Sequence, residues 1–265
     1  MQLEDDEDKG QRGIQSVEVG GRLLQALTDH AGSMTLKDLA AAAELPASRA
    51  HPYLVSFGKL GLVEQDAHTG RYALGPMALQ MGLSCLHQSD PIKAATPVAE
   101  ALARRIDQTV VIAVWANFGP TVVRLIEGSQ PLHVNMRAGT VMSILGTATG
   151  RAFAAVLPAN QLEQAMRGRS GEPRRADRSP VKNLARELKE VSAEVRSQGL
   201  ARAMGRPIPG INAFSAPVFD HEGQAALVIT ALGHEDNFSA AWDSAEADGV
   251  RQAAADISRR LGFRR

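Results

Sequence analysis

The chain has 265 residues, of which 44% are hydrophobic, and its formal net charge is zero. This length suits two domains with a sizeable core. The sequence contains no uninterrupted apolar run of about 18 or more residues, so it does not predict a transmembrane helix. The single cysteine, Cys85, excludes an intramolecular disulfide and a multi-cysteine metal site, and is interpreted as a small apolar helix residue. Because the charges balance, the net charge gives no indication of nucleic-acid binding, and only local features of the sequence can indicate it.

The first 12 residues are charged and lack apolar periodicity, which predicts a disordered tail. Acidic residues occupy positions 4–8, where a signal peptide needs positive charge followed by an apolar run. We therefore expect a cytoplasmic protein that is not secreted.

Residues 13–75 predict three short helices followed by a hairpin. Thr35 is suited to cap the second helix, and Pro46 separates it from the third. The turn-forming residues 66–70 lie between two short strand-like runs. The expected elements are helices over about 16–28, 35–45 and 47–60 and strands over 62–65 and 71–74. This order of elements indicates a winged helix-turn-helix.

Residues 76–90 predict a linker with a helix over 77–87, and residues 91–265 predict an α/β domain built around an antiparallel sheet. Turn signals at 117–120 and 220–223 separate pairs of strands. The expected helices cover 91–106, 147–157, 181–197 and 240–261, the expected strands cover 110–115, 121–126, 131–137, 211–219 and 225–232, and residues 168–180 are expected to form an exposed loop. The predicted fold class is therefore α+β.

Several segments in the same order carry a family resemblance. They are residues 14–17, 36–45, 46–51 (Pro-Ala-Ser-Arg-Ala-His), 61–64 and 70–75 in the first half, and 137–139, 146–152 and 212–220 in the second. In this pattern the chain resembles the IclR family of bacterial regulators over roughly residues 13–262. The resemblance implies a helix-turn-helix homodimer, or a dimer of dimers, on a palindromic DNA operator. It also implies a GAF-like C-terminal domain that binds a small metabolite.

The second helix of such a motif enters the DNA major groove. The candidate DNA-binding residues are Ser48, Arg49, His51, Ser56 and Lys59 on that helix and Arg71 in the wing. Arg49 is suited to guanine or phosphate and Lys59 to phosphate. For each of these residues the alternative is a solvated surface side chain. Ser48 is also a candidate helix cap.

Pro52 departs from the resemblance, because family members usually carry a basic residue at this position. A proline removes a backbone donor and a cationic DNA contact. If Ser48 caps the helix, Pro52 lies in the first turn or just beyond it. We expect the operator to differ from a generic family operator.

The resemblance places an effector site in the second half of the chain. Its candidate residues are Gly146, Thr147, Asn212, Phe214 and Thr230. Amides at the start of the helix after Thr147 are suited to hold a carboxylate. The alternative is that these polar groups are satisfied by the backbone. Trp115 and Met136 are possible walls, although core packing is favoured for both.

Two residues suggest the chemistry of the ligand. Leu145 and Ala213 stand where family members often carry histidine and a polar residue such as cysteine, which predicts a more apolar pocket. We expect a small aromatic or hydrophobic acid to fit better than a very small polar acid such as glyoxylate.

The sequence therefore predicts a ligand-controlled transcriptional repressor or activator with three partners: operator DNA, a small effector and a second copy of itself. An enzyme is disfavoured, because metal-binding, nucleophile-elbow and phosphate-loop motifs are missing from the sequence. We expect no cofactor, no metal and no membrane partner. A DNA-binding scaffold whose second domain binds no ligand stays open as an alternative.

Overall fold

The computed structural model describes residues 13–30, 32–129, 132, 134, 136–167 and 184–264. The chain divides between Gln88 and Ser89 into two compact units, called here the N-terminal unit and the C-terminal unit. The predicted tail and the predicted loop over 168–180 lie outside the described residues. Within the described ranges, every helix is too short or too polar to cross a bilayer.

The N-terminal unit follows the predicted order of elements. These are α1 (Gln15–Asp29), α2 (Leu36–Ala42), α3 (Ala47–Lys59), β1 (Val63–Gln65), β2 (Tyr72–Leu74) and α4 (Pro76–His87). Thr35 caps α2 as predicted, since its hydroxyl oxygen accepts the amide of Asp38. Leu23, Leu39 and Leu54 from the first three helices are fully buried in one core. The hairpin β1–β2 closes that core and completes the winged helix.

The C-terminal unit is a five-stranded antiparallel sheet between two layers of helices. Its elements are α5 (Pro91–Ile106), β3 (Thr109–Ala116), β4 (Gly119–Ile126), α6 (Ala148–Val156), α7 (Ala159–Arg167), α8 (Leu184–Gln198), β5 (Ala201–Met204), β6 (Ile211–Phe219), β7 (Ala225–His234) and α9 (Ala245–Arg260). The strand order is β4-β3-β7-β6-β5, with β7 at the centre. This architecture confirms the predicted α+β fold class.

The two faces of this sheet bury different residues because side chains alternate along each strand. On one face, Ile112 and Ile229 pack with residues of α5 and α9. On the other, Ala113 and Val228 pack with Phe153 of α6. We call the second face the α6 face, and it carries the candidate effector site.

One prediction in this unit is wrong, and two elements were missed. The described residues among 131–137 form no strand, because the amides of Val134 and Met136 bond carbonyls two residues back instead of a neighbouring strand. The edge strand β5 was missed, since its sequence Ala-Arg-Ala-Met has little β-propensity. Helix α7 was missed as well.

Candidate DNA-binding surface and effector site

One side of α3 is exposed and the other is buried. Ala50 and Leu54 face the core of the N-terminal unit. The exposed residues of the helix interior and its last turn are Ser48, Arg49, His51, Pro52, Val55, Ser56, Gly58 and Lys59. The five predicted DNA-binding residues of α3 therefore share one exposed side, which is where a recognition helix contacts bases and phosphates.

The start of α3 decides whether Ser48 caps the helix, and therefore in which turn Pro52 lies. The N-cap is Pro46, and its carbonyl accepts the amides of Arg49 and Ala50. Ser48 is therefore inside the helix, and the prediction that it acts as the cap is wrong. Pro52 lies in the second turn, where it cannot supply the N–H that the Ser48 carbonyl needs.

Two of the predicted contact residues already hold partners within the chain. The Ser56 hydroxyl donates to the Pro52 carbonyl at 3.0 Å, so it is left as an acceptor. The Arg71 guanidinium donates to the Ser33 carbonyl at 2.9 Å, which ties the wing to the segment before α2. Arg71 thus has a structural role, and only its remaining donors are free for a phosphate.

The loop of the wing is held by a carboxylate that the sequence indicated only as a turn residue. Asp66 accepts the Thr69 amide at 2.6 Å, the Thr69 hydroxyl at 2.8 Å and the His68 amide at 3.0 Å. The hydrogen bonds from Thr69 are the largest cause that lowers the pKa of Asp66 below its ordinary value. The carboxylate is therefore ionised at neutral pH and pre-shapes the loop.

The predicted residues Gly146 and Thr147 lie in a tight turn at the start of α6. Thr147 is the N-cap: its hydroxyl accepts the Gly150 amide at 3.0 Å and donates to the Ser143 carbonyl at 2.7 Å. The Gly146 amide donates to the Ser143 hydroxyl at 2.9 Å. A side chain at Gly150 would overlap the Ser143 carbonyl, so this close approach requires glycine.

The first turn of α6 is suited to an anionic group. The amides of Ala148 and Thr149 have no acceptor inside the helix, because they belong to its first residues. Both residues are buried. The positive end of the helix dipole adds to their attraction for a carboxylate.

A chain of three buried hydroxyls links α6 to the sheet. The Thr149 and Thr230 oxygens lie 2.8 Å apart, and the Thr230 and Ser215 oxygens lie 2.7 Å apart. All three residues are almost completely buried. Thr230 was predicted, whereas Thr149 and Ser215 were missed. The contact of Ser215 with Thr230 can be predicted from the sequence only if the register that pairs these two residues is known.

Asn212 and Phe214 lie on the opposite face of the sheet, and the structure does not bring them together with Thr147 and Thr230. The Asn212 amide donates to the Phe238 carbonyl at 3.1 Å. Phe214 is fully buried against the rings of Phe238 and Trp242. Their partners place both residues in the core beneath α9, and their neighbours Ala213 and Ser215 face the other way.

The α6 face is mostly apolar around the hydroxyl chain. One cluster on this face draws its buried and half-buried members from β3, β4, β6, β7 and the segment that follows β4; they are Val111, Val122, Leu125, Leu132, Met136, Met142, Ile211, Ala213 and Leu232. Met136 belongs to this set, whereas Trp115 packs on Phe153 with ring centroids 5.5 Å apart. A site here would offer hydroxyls and helix amides inside an apolar wall.

Comparisons with known proteins match both units. The family model of the IclR helix-turn-helix domain matches residues 16–67, and that of the bacterial transcriptional regulator IclR C-terminal region matches residues 83–259. The regulator KipR of Bacillus subtilis is 27% identical over 234 residues, which cover 88% of this chain and 92% of KipR. The repressor IclR of Escherichia coli is 25% identical over 224 residues, covering 83% and 80%.

A solved structure also matches nearly the whole chain. Pseudomonas aeruginosa HmgR has a TM-score of 0.83 and 33% sequence identity, and the match covers 94% of this chain and 99% of that one. The two curated relatives are named as transcriptional regulators, which agrees with the expectation that the chain is not an enzyme.

Proposed function

The chain belongs to the IclR family of DNA-binding transcriptional regulators, and from this membership we propose that a small organic acid bound on the α6 face controls its binding to an operator. Relatives named as repressors support repression as the mode of regulation. The acid needs only to favour one arrangement of two winged helices over another. A coupling of about 1–3 kcal/mol is typical of such control.

The observation that carries the proposal is the meeting of three features on one sheet face. The first turn of α6 carries two amides without a helical acceptor, and the Thr149 hydroxyl in that turn contacts Thr230, which in turn contacts Ser215. Apolar side chains of the same sheet face flank these hydroxyls, including Val111, the strand partner of Thr230. Amides at a helix start favour a carboxylate, and the apolar wall favours an acid with a hydrophobic or aromatic body. The half-buried Ala213 adds to this apolar character, whereas Leu145 packs against a separate cluster that contains Ile144 and Leu162.

On the DNA side, the exposed side of α3 is proposed to enter the major groove. Arg49 and Lys59 are the cations of this side and would contact guanine or phosphate. Ser48 and His51 are further candidates for DNA contact, since Ser48 does not cap the helix. Arg71 would contact a phosphate only through the donors that Ser33 leaves free.

Helix α4 supports the proposed homodimer. None of its residues is buried, and it exposes five large apolar side chains, namely Met77, Leu79, Met81, Leu83 and Leu86. An isolated helix of this length is only marginally stable in water, so we expect its exposed apolar side to pack against another surface. We propose that this surface is α4 of a second copy of the chain, because a dimer of winged helices matches the two half-sites of a palindrome. Its additional role as a linker between the domains stays a prediction.

The test combines DNA binding with ligand binding. Fluorescence anisotropy of the full chain with DNA from upstream of its own gene, against scrambled DNA at two salt concentrations, is expected to show a preference that survives the higher salt. Equal and salt-sensitive binding to both duplexes would contradict operator recognition.

The ligand is tested by thermal unfolding with benzoate, phenylacetate and glyoxylate, since a ligand that binds only the folded state raises its stability. We expect the two aromatic acids to stabilise the chain and weaken operator binding. Stabilisation by glyoxylate alone would contradict the apolar pocket. If a broad panel of organic acids neither stabilises the chain nor changes DNA binding, the scaffold alternative holds.

A further inference from the structure

Four exposed residues of α3 form one row along its outer side. Ser48, Pro52, Val55 and Lys59 are spaced by four, three and four residues, so they lie one above another along the helix. Val55 is 45% exposed. The two middle members, Pro52 and Val55, carry neither a charge nor a side-chain hydrogen-bonding group. The centre of the row is therefore apolar, with a hydroxyl at one end and a cation at the other.

Pro52 is unfavourable for the helix and gains nothing from packing. It leaves the Ser48 carbonyl without its helical donor, and proline is the least favourable residue in a helix interior. Its side chain is exposed, so no core contact offsets this cost. Local rules are most often broken at functional or strained positions, and Pro52 lies on the exposed side of α3 that is the candidate DNA-binding surface.

An apolar side chain in the major groove has one matching base feature, the C5-methyl group of thymine. We propose that Pro52 and Val55 recognise thymine methyl groups in each half-site of the operator. This inference rests on the DNA binding of the proposed function and states what the centre of α3 selects. Ser48 and Lys59 stand at either end of the same row, and Arg49 lies on its flank, where polar and phosphate contacts would fix the register.

The experiment removes single methyl groups from the DNA. The full chain first selects its preferred duplex from a randomised pool, and each thymine of that duplex is then replaced by deoxyuridine, which keeps every hydrogen-bonding edge. At one or more thymines of each half-site, Kd is expected to rise about fourfold for each methyl lost, the effect of removing one buried carbon. Thymines elsewhere are expected to show no change.

Protein variants assign the effect to its residues. Pro52→Ala combined with Val55→Ala is expected to discriminate less between the thymine and deoxyuridine duplexes, because the alanine methyl groups are shorter than the proline ring and the valine isopropyl group and make less apolar contact. Lys59→Ala, on the same row, is the matched control: it is expected to weaken both duplexes alike and keep their ratio.

The proposal is overturned if no thymine is sensitive to loss of its methyl, or if the double alanine variant discriminates between the two duplexes as strongly as the unchanged chain. A pool that yields no preferred duplex would contradict sequence-specific binding itself, and this inference with it. A preferred duplex whose thymines are all insensitive would leave the proposed function intact and remove only the methyl recognition.

Discussion

The hydroxyl oxygens of Thr149 and Thr230 lie 2.8 Å apart and join the first turn of α6 to the central strand β7. Ser215 extends this contact to β6 at 2.7 Å. A group bound at the start of α6 therefore acts on a helix that is fixed to two strands of the sheet.

Replacing Thr230 by valine is expected to destabilise the C-terminal unit by about 1–3 kcal/mol, because it leaves two buried hydroxyls short of a partner. Urea unfolding followed by tryptophan fluorescence measures this, since both tryptophans, Trp115 and Trp242, lie in that unit. The matched control is the triple change Thr149→Val, Ser215→Ala and Thr230→Val. It removes the whole chain of hydroxyls and is expected to cost less than the sum of the three single changes. Full additivity would show that the hydroxyls do not act together.

Two threonines cap helices in different units and allow a paired test of the effector site. Thr35→Ala and Thr147→Ala are each expected to cost about 0.5–2 kcal/mol, because each removes the side-chain acceptor of a helix start. Only Thr147→Ala is expected to reduce the thermal stabilisation by benzoate, since it loosens the turn that presents the α6 amides. Thr147→Ser should restore it. An equal loss of ligand response in both variants would place the site elsewhere.

The winged helix was accessible from sequence because its signals are local. Thr35 is a cap followed by Asp38, and Gly61 ends α3 with φ of 72°, which favours glycine. Each signal involves neighbours in the chain, so spacing alone predicts the helices and the hairpin. The cap of α3 was the exception, since Pro46 and Ser48 are both compatible with a helix start.

The candidate effector site could be predicted only in part, because its lining depends on strand register. Residues 212 and 214 share one face of β6 and 213 and 215 share the other, and sequence does not say which face meets Thr230. The pairing of Ser215 with Thr230 and of Phe214 with Ala231 decides this. The family resemblance pointed to this segment of β6, but the residues predicted from it, Asn212 and Phe214, lie on the face opposite to Thr230, and their neighbours Ala213 and Ser215 lie on the same face as Thr230.

Charged residues on the exposed leucine row of α4 are expected to break the proposed dimer. Leu79→Glu with Leu83→Glu places carboxylates one turn apart where a second copy is expected to pack. Sedimentation equilibrium should show a shift from dimer to monomer, together with weaker binding to a palindromic duplex. Gln80→Glu with Ser84→Glu adds the same charge at the same spacing on another side of α4 and should leave the dimer intact. A dimer that survives the leucine changes would place the interface elsewhere.

Pro52→Ala is expected to stabilise the N-terminal unit while it reduces the thymine discrimination proposed above. Alanine restores the N–H that the Ser48 carbonyl lacks, and the expected gain is about 1–3 kcal/mol. Hydrogen exchange of peptides from α3, read by mass spectrometry, should slow by a corresponding factor. Pro46→Ala is the control: Pro46 precedes the helix as its N-cap, where no helical donor is missing, so its gain should be smaller. If the two variants change hydrogen exchange equally, the second-turn proline has no particular cost to the helix, and a functional constraint is not needed to explain why residue 52 is a proline.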